Sequence, residues 1–273
     1  MPTRETQQSH HLPFWLRTLS SSPSAYYLGT NHAPGSPPAI HVRDLRLGVI
    51  TALGVDFKGR RCLDIGCNDG TVSTQIVYNQ AFDLDASEVV GVDIDPTLVR
   101  KAQHLHSLKA SRLRPSSEPS ERLVDYYPMS AVLRHGNLPQ PRSPSSHWPS
   151  VKFAAADWVV STDPALDGPY DVILALSVIK WIHLEHRDEG LLSFFRKCCT
   201  ELASGGYLVL EPQPWESYQK AIRPNAAPHF AKNLESLIYR PETSFTNLLQ
   251  DQGLTLCATS DQLRRPITIY RKA

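Results

Sequence analysis

The chain has 273 residues, 41% hydrophobic and 20% charged, an ordinary globular composition that excludes a disordered, collagenous or coiled-coil chain. Its 28 basic and 27 acidic residues leave a formal net charge of +1, so any nucleic-acid or membrane partner must be met by a local patch rather than a global field. No apolar run of about 18 residues occurs and the first residues carry no apolar core, so neither a transmembrane helix nor a secretory signal is expected.

Residues 1–40 are rich in Ser, Pro, Gly and His and read as an irregular N-terminal arm with an aromatic patch at Tyr26 and Tyr27. Residues 41–273 then read as one domain. From Ile40 to Leu53 the spacing of Val42, Leu45, Val49 and Leu53 suits an amphipathic helix. Arg60–Gly66 reads as a short buried strand running into a glycine turn, followed by a helix from Thr71 to Asn79. Glu88–Asp95 is a second strand ending in acids, and Pro96 opens the next helix, which runs to about Lys109. Residues 111–150 are rich in Pro and Ser and read as an insertion, with Arg112, Arg114, Arg122, Arg134 and Arg142 within it. Val151–Asp157 and Tyr170–Ser177 return as strands, and Asp188–Glu201 reads as a helix stopped by Ser204-Gly205-Gly206. Tyr207–Pro212 is the next strand, Phe245–Gln252 the last helix, and Leu254–Ala258 with Pro266–Tyr270 a closing pair of strands. Strands alternating with helices imply an α/β fold: a mostly parallel sheet with helices on both faces and an antiparallel edge.

The five cysteines include no C-x-x-C pair and no zinc-ligand spacing, so thiols are expected reduced and no metal is expected. The turn Asp64-Ile65-Gly66-Cys67-Asn68-Asp69-Gly70 follows a strand and opens a helix, and Gly66 and Gly70 allow a sharp turn and close approach of a ligand. In open α/β sheets ligands bind beyond the carboxyl ends of the strands. Asp93, ending the next strand, offers a carboxylate to both ribose hydroxyls of a nucleoside. The full G-x-G-x-x-G pattern is absent, and the Gly66–Asp93 spacing exceeds the roughly 20 residues of the dinucleotide fingerprint.

The pair D-I-G-C-N-D-G and V-G-V-D-I-D resembles motifs I and II of class I (Rossmann-like) S-adenosylmethionine-dependent methyltransferases. Asp64 suits the cationic methionine end of that cofactor, and Ile94 and Leu176 complete its lining. Asp157 and Trp158, after the following strand, are placed to meet the adenine amine and to stack on the ring. Two later strings narrow the resemblance: Lys180-Trp181-Ile182-His183-Leu184 with Asp188, Gly190 and Leu191, then Glu211-Pro212-Gln213-Pro214-Trp215. With Arg265-Pro266 they resemble the bicoid-interacting RNA methyltransferase family, which includes methylphosphate capping enzymes and RNA 5′-monophosphate methyltransferases.

That resemblance implies transfer of the cofactor's methyl group to an oxygen of the 5′ phosphate of a small non-coding RNA. It makes Lys180 the first candidate to neutralise phosphate. His183 either bonds a phosphate oxygen or serves as a structural hydrogen-bonder. Trp181 and Trp215 either stack on the first nucleotide or belong to the core. Gln213, Arg265 and Arg271 are carried over as substrate contacts, and Glu211 is read as an architectural carboxylate accepting backbone N–H groups. Asp44-Leu45-Arg46-Leu47 matches the family's D-x-R-L, so Arg46 takes the cofactor carboxylate, and Tyr27 is carried over from the tyrosine-rich arm. The arm lacks the family's following arginine, and Arg271 stands where relatives carry a histidine. Both departures leave triphosphate and monophosphate substrates open, and keep alive an RNA-binding subunit of a ribonucleoprotein or a methyltransferase acting on another substrate. A monomer in the nucleus or cytoplasm is expected, with ribonucleoprotein proteins as candidate partners.

Overall fold

In the computed structural model, residues 44–78, 84–113, 126–137, 149–222 and 227–273 are described. The expectations for the N-terminal arm, Tyr27 among them, and for most of the 111–150 insertion fall outside these residues. Seven strands form one sheet: β1 (Arg61–Ile65), β2 (Glu88–Asp93), β3 (Ser150–Ala155), β4 (Tyr170–Leu176), β5 (Leu202–Glu211), β6 (Leu254–Ser260) and β7 (Ile267–Lys272). Their order is β3-β2-β1-β4-β5-β7-β6. The first five pair in parallel, and the near-continuous apolar runs of β2 and β4 are what burial on both faces requires, whereas β3, at the sheet edge, is only partly buried. β7 is antiparallel to both β5 and β6, so the closing hairpin slots its second strand next to β5 and leaves β6 outermost.

The helices are α1 (Leu45–Ala52), α2 (Thr71–Tyr78), α3 (Pro96–Ala110), α4 (Met129–His135), α5 (Ile179–Glu201), α6 (Trp215–Gln219), α7 (Pro228–Ser236) and α8 (Phe245–Asp251). One face of the sheet is covered by α5 and α8, through Leu191, Phe194, Phe195, Phe245 and Leu249. The other is covered by α1 and α2, through Leu47, Ile50, Ile76 and Val77. Each fully buried Phe or Leu contributes about 1.5–3 kcal/mol, so these faces hold the layers together. Asp44 caps α1 by accepting from the Arg46 N–H at 3.0 Å, and Asp95 caps α3 from Thr97 at 2.7 Å with Pro96 in its first turn.

Two stretches differ from the sequence reading. The helix expected from Asp188 starts at Ile179, and Arg187 interrupts it with φ 58 and ψ −163. The first part buries Ile179, His183 and Leu184, so the apolar stripe is real, but the break hides it from a single helical period. Residues 212–244, read without elements, form α6 and α7. With Leu237 they build a third apolar cluster of Leu184, Tyr218, Ala227 and Phe230, against which Ile94, Trp181 and Trp215 pack. This cluster sits beyond the carboxyl ends of the parallel strands, since Ile94 follows β2 and α6 follows β5. A short α4 also lies inside the expected insertion.

Candidate functional site

The carboxyl ends of β1, β2, β4 and β5 converge. The turn after β1 is pinned to β2 by N–H groups of Gly66 and Cys67 donating to the Val92 carbonyl at 2.8 and 3.0 Å. Asn68, at φ 53, donates its N–H to Asp93 Oδ2 at 2.9 Å, and Asp95 N–H donates to Asp93 Oδ1 at 2.9 Å. Burial pushes the Asp93 carboxyl up, against those hydrogen bonds. A carboxylate has about four acceptor sites, so with the Asn68, Asp95 and Ile94 N–H groups on it some acceptor capacity remains. Packing also requires the two glycines. A Cβ on Gly66, at φ 74, would lie 2.6 Å from Val178 Cγ2, and one on Gly70, at φ 77, 2.7 Å from Ala102 Cβ.

Asp64, near the end of β1, is 3% exposed and accepts from Ser73 Oγ at 2.6 Å. Burial pushes its carboxyl up to about 6, with the Ser73 hydrogen bond and the Arg46 charge opposing. Beside it runs a buried polar chain. Arg46 forks onto Asp44, Nε to Oδ1 at 2.9 Å and Nη2 to Oδ2 at 2.5 Å, and its Nη1 donates to Glu211 Oε2 at 3.1 Å. Glu211 Oε2 also accepts from Ser177 Oγ, to which Arg265 Nη1 donates at 2.5 Å. Burial works against the Arg46 charge, yet Asp44 and then Glu211 hold the guanidinium protonated above its ordinary range. Glu211 therefore braces side chains, not the backbone N–H groups expected of it. Ser177, at φ 60 directly after β4, links Glu211 to Arg265, and nothing in its residue type announces that role.

Lys180 lies in the first turn of α5. Its Nζ donates to Ser217 Oγ at 2.8 Å and stands 4.3 Å from the Trp181 ring centroid. Gln213 is 3% exposed and closes on the protein itself, Nε2 donating to the Ser177 carbonyl at 2.5 Å and Oε1 accepting from Lys180 N–H at 3.3 Å. It brackets the α5 N-terminus.

Four further expectations are corrected by packing. His183 has no exposed surface, and its Nε2 meets Asp188 Oδ1 at 2.8 Å and its Nδ1 the Tyr218 hydroxyl at 3.4 Å. Burial lowers its pKa, against Asp188. Both ring nitrogens are thus partnered within the protein. Trp158 is 3% exposed, edge to face with Phe194 and 4.7 Å beneath the Lys197 ammonium, with no hydrogen-bond partner for Nε1 among the described residues. It is a core side chain rather than a stacking platform. Trp215 has the Tyr218 ring at 4.9 Å, tilted to it, and the Arg240 guanidinium 3.6 Å from its own ring centroid. Arg271 pairs in register with Tyr207, and its Nε donates to the Gly205 carbonyl at 3.3 Å. That register puts it about 13 Å down the strand from Glu211, toward the opposite end of the sheet. Arg265 and Arg271 are thus divided, with Arg265 on Ser177 and Arg271 toward the other end of the sheet.

Asp157 accepts from Val159 N–H at 3.1 Å and from His186 Nε2 at 2.7 Å. The Asp157 hydrogen bond raises the His186 pKa, with burial opposing. His186, which belongs to no motif of the sequence, reaches Asp157 from the end of the first part of α5, just before the break at Arg187. Among the described residues no group of His, Cys, Asp and Glu is arranged to hold a metal, and no helix is long and apolar enough to cross a membrane.

The sheet is that of class I methyltransferases. The crystal structure of N-methyltransferase NodS from Bradyrhizobium japonicum with S-adenosyl-L-homocysteine superposes with a TM-score of 0.51 over 95% of this chain and 98% of that one, at 13% identity. The similarity at that identity concerns the fold alone. The Bicoid-interacting protein 3 (Bin3) family profile matches residues 170–272. The chain is 32% identical to the 7SK snRNA methylphosphate capping enzyme of Mus musculus over 80% of its length, spanning only 36% of that protein. It is 27% identical to the mouse RNA 5′-monophosphate methyltransferase, covering 77% of this chain and 68% of that protein. It is 32% identical to the U6 snRNA methylphosphate capping enzyme Amus of Drosophila melanogaster, covering 84% of this chain and 69% of that protein. The chain belongs to the Bicoid-interacting protein 3 (Bin3) family.

Proposed function

We propose that this chain is an S-adenosylmethionine-dependent methyltransferase that methylates an oxygen of the 5′ phosphate of a small RNA. The observation that carries the reading is the position of Lys180. An ammonium beside an indole, held by Ser217, stands at the start of α5 against the carboxyl edge, in a chain whose relatives are named for methylating RNA 5′ phosphates.

The residues present fit the cofactor. The Gly66–Asn68 turn and the remaining acceptor sites of Asp93 suit a ribose. Asp64 and Arg46 suit the amine and carboxylate of an amino acid, Ile94 and Leu176 an apolar lining, and Asp157 the adenine amine. When bound, the cofactor supplies an electrophilic methyl on a sulfonium. A phosphate oxygen is already anionic at neutral pH and needs no general base. The protein's task is to hold that oxygen in line and balance the remaining charge, which is catalysis by proximity. Lys180 balances charge as a point cation, Trp181 offers an aromatic surface, and Arg265, held on Ser177, adds a second cation. His183, sealed in the interior, takes no part. The same reading places the work in the nucleus, with a monomer as the working unit.

The test is transfer of labelled methyl to one short hairpin RNA bearing a 5′ triphosphate, a 5′ monophosphate or a 5′ hydroxyl. Label on a phosphorylated form and none on the hydroxyl form is expected. Equal label on all three would move the target to a base or ribose and refute the reading.

A further inference from the structure

We propose that Arg240 is a binding site for a phosphodiester of the RNA strand just beyond its 5′ end, a deepening that rests on the RNA reading above. The Arg240 guanidinium lies 3.6 Å from the Trp215 ring centroid. Its Nη1 is tied to the carbonyls of Leu237 and Tyr239 at 2.7 and 3.2 Å, which fixes the plane of the fork. The backbone under it is clamped as well. Asp188, held by His183, accepts N–H groups of Ile238 and Tyr239 at 2.7 and 3.3 Å, and Arg240 N–H donates to Ser244 Oγ at 3.1 Å.

So placed, Arg240 retains its charge and an edge. It forms no ion pair among the described residues, where Nε and Nη2 donate to nothing. Glu242, two positions on, is committed to the Trp215 N–H at 2.7 Å. A half-buried guanidinium stacked on an indole loses little entropy when it meets an anion, and its planar fork matches phosphate. Arg240 and Lys180 grip the same short helix α6, one through Trp215 and the other through Ser217. In this proposal a strand whose 5′ phosphate meets Lys180 carries one of its next phosphates to Arg240, and Ile238, 77% exposed, offers an apolar contact beside it.

The experiment measures the Kd of the full chain for the 5′-triphosphate hairpin across a salt series, for wild type, Arg240→Gln and Arg240→Lys, alongside cofactor binding and methyl transfer. For Arg240→Gln the slope of log Kd against log salt falls by about 0.7 to 0.9, the loss of one phosphate contact, with weaker binding and unchanged cofactor affinity. Arg240→Lys keeps the charge and the slope. In the unmodified protein, bound RNA protects Arg240 from an arginine-selective dicarbonyl reagent, mapped by peptide mass, a readout independent of how the variants fold. An unchanged slope in Arg240→Gln, or no protection, overturns the proposal. Salt-dependent RNA binding without methyl transfer by the wild type would overturn the methyltransferase reading and leave Arg240 standing, whereas a wild type that binds no RNA overturns both.

Discussion

Glu211 is the junction of the buried polar chain, and removing its carboxylate tests whether that chain is what fixes the carboxyl edge. In Glu211→Ala, Arg46 keeps its fork on Asp44 but loses the Nη1 partner at 3.1 Å, and Ser177 Oγ loses its acceptor, all at positions less than a tenth exposed. Deleting one partner of a buried charge pair costs about 3–5 kcal/mol, and the retained Asp44 fork places this case near 3 kcal/mol. Glu211→Gln keeps an acceptor of the same shape, so its loss is the difference between a charged and a neutral hydrogen bond, about 1 kcal/mol. The assay is equilibrium urea unfolding of both variants, of Arg46→Met and of the doubles. A coupling between Arg46 and Glu211 of about 1–3 kcal/mol is expected, as for residues sharing one network. Additive effects within about 0.5 kcal/mol, or an alanine variant as stable as wild type, would refute the reasoning and reduce the chain to coincident neighbours.

Gly70→Ala sets a methyl 2.7 Å from Ala102 Cβ at φ 77, so a loss of about 1–3 kcal/mol is expected by denaturant melt, and a variant as stable as wild type would show the α2–α3 contact to be loose. His186 has a folded pKa raised above its ordinary 6.5 by Asp157. Its contribution is therefore fully present below that value and lost as pH rises through the folded value. His186→Gln should flatten this decline of stability with pH, measured by thermal melts, and an identical decline in the variant would rule the pair out as its cause. Arg271→Ala should leave methyl transfer to a 5′-phosphorylated hairpin at the wild-type rate while Arg265→Ala lowers it at least tenfold. A matching loss in Arg271→Ala would mean that the RNA wraps to the far end of the sheet.

The alternating strands, the glycine turn and the acid ending β2 were all readable along the chain, because each is a local signal. An apolar run buried on two faces, a backbone needing positive φ at Gly66 and Gly70, and a strand end all show in neighbouring residues. So too was the family, through Lys180-Trp181 and Glu211–Trp215. What each polar residue of those motifs does was settled by partners distant in sequence. His183 and Gln213 carry the same chemistry as a ligand residue, and only the packing of Asp188, Tyr218 and Ser177 around them makes them braces. Arg265 and Arg271 are near neighbours in the chain, yet an antiparallel strand carries one toward the carboxyl edge and the other away from it. Arg240 stood in no motif, and its meaning arises from a stack with Trp215 that forms only when the 237–244 segment folds back onto α6. Chemistry is written residue by residue, but desolvation and partnership, which decide whether a charge is spent or available, belong to the assembled fold.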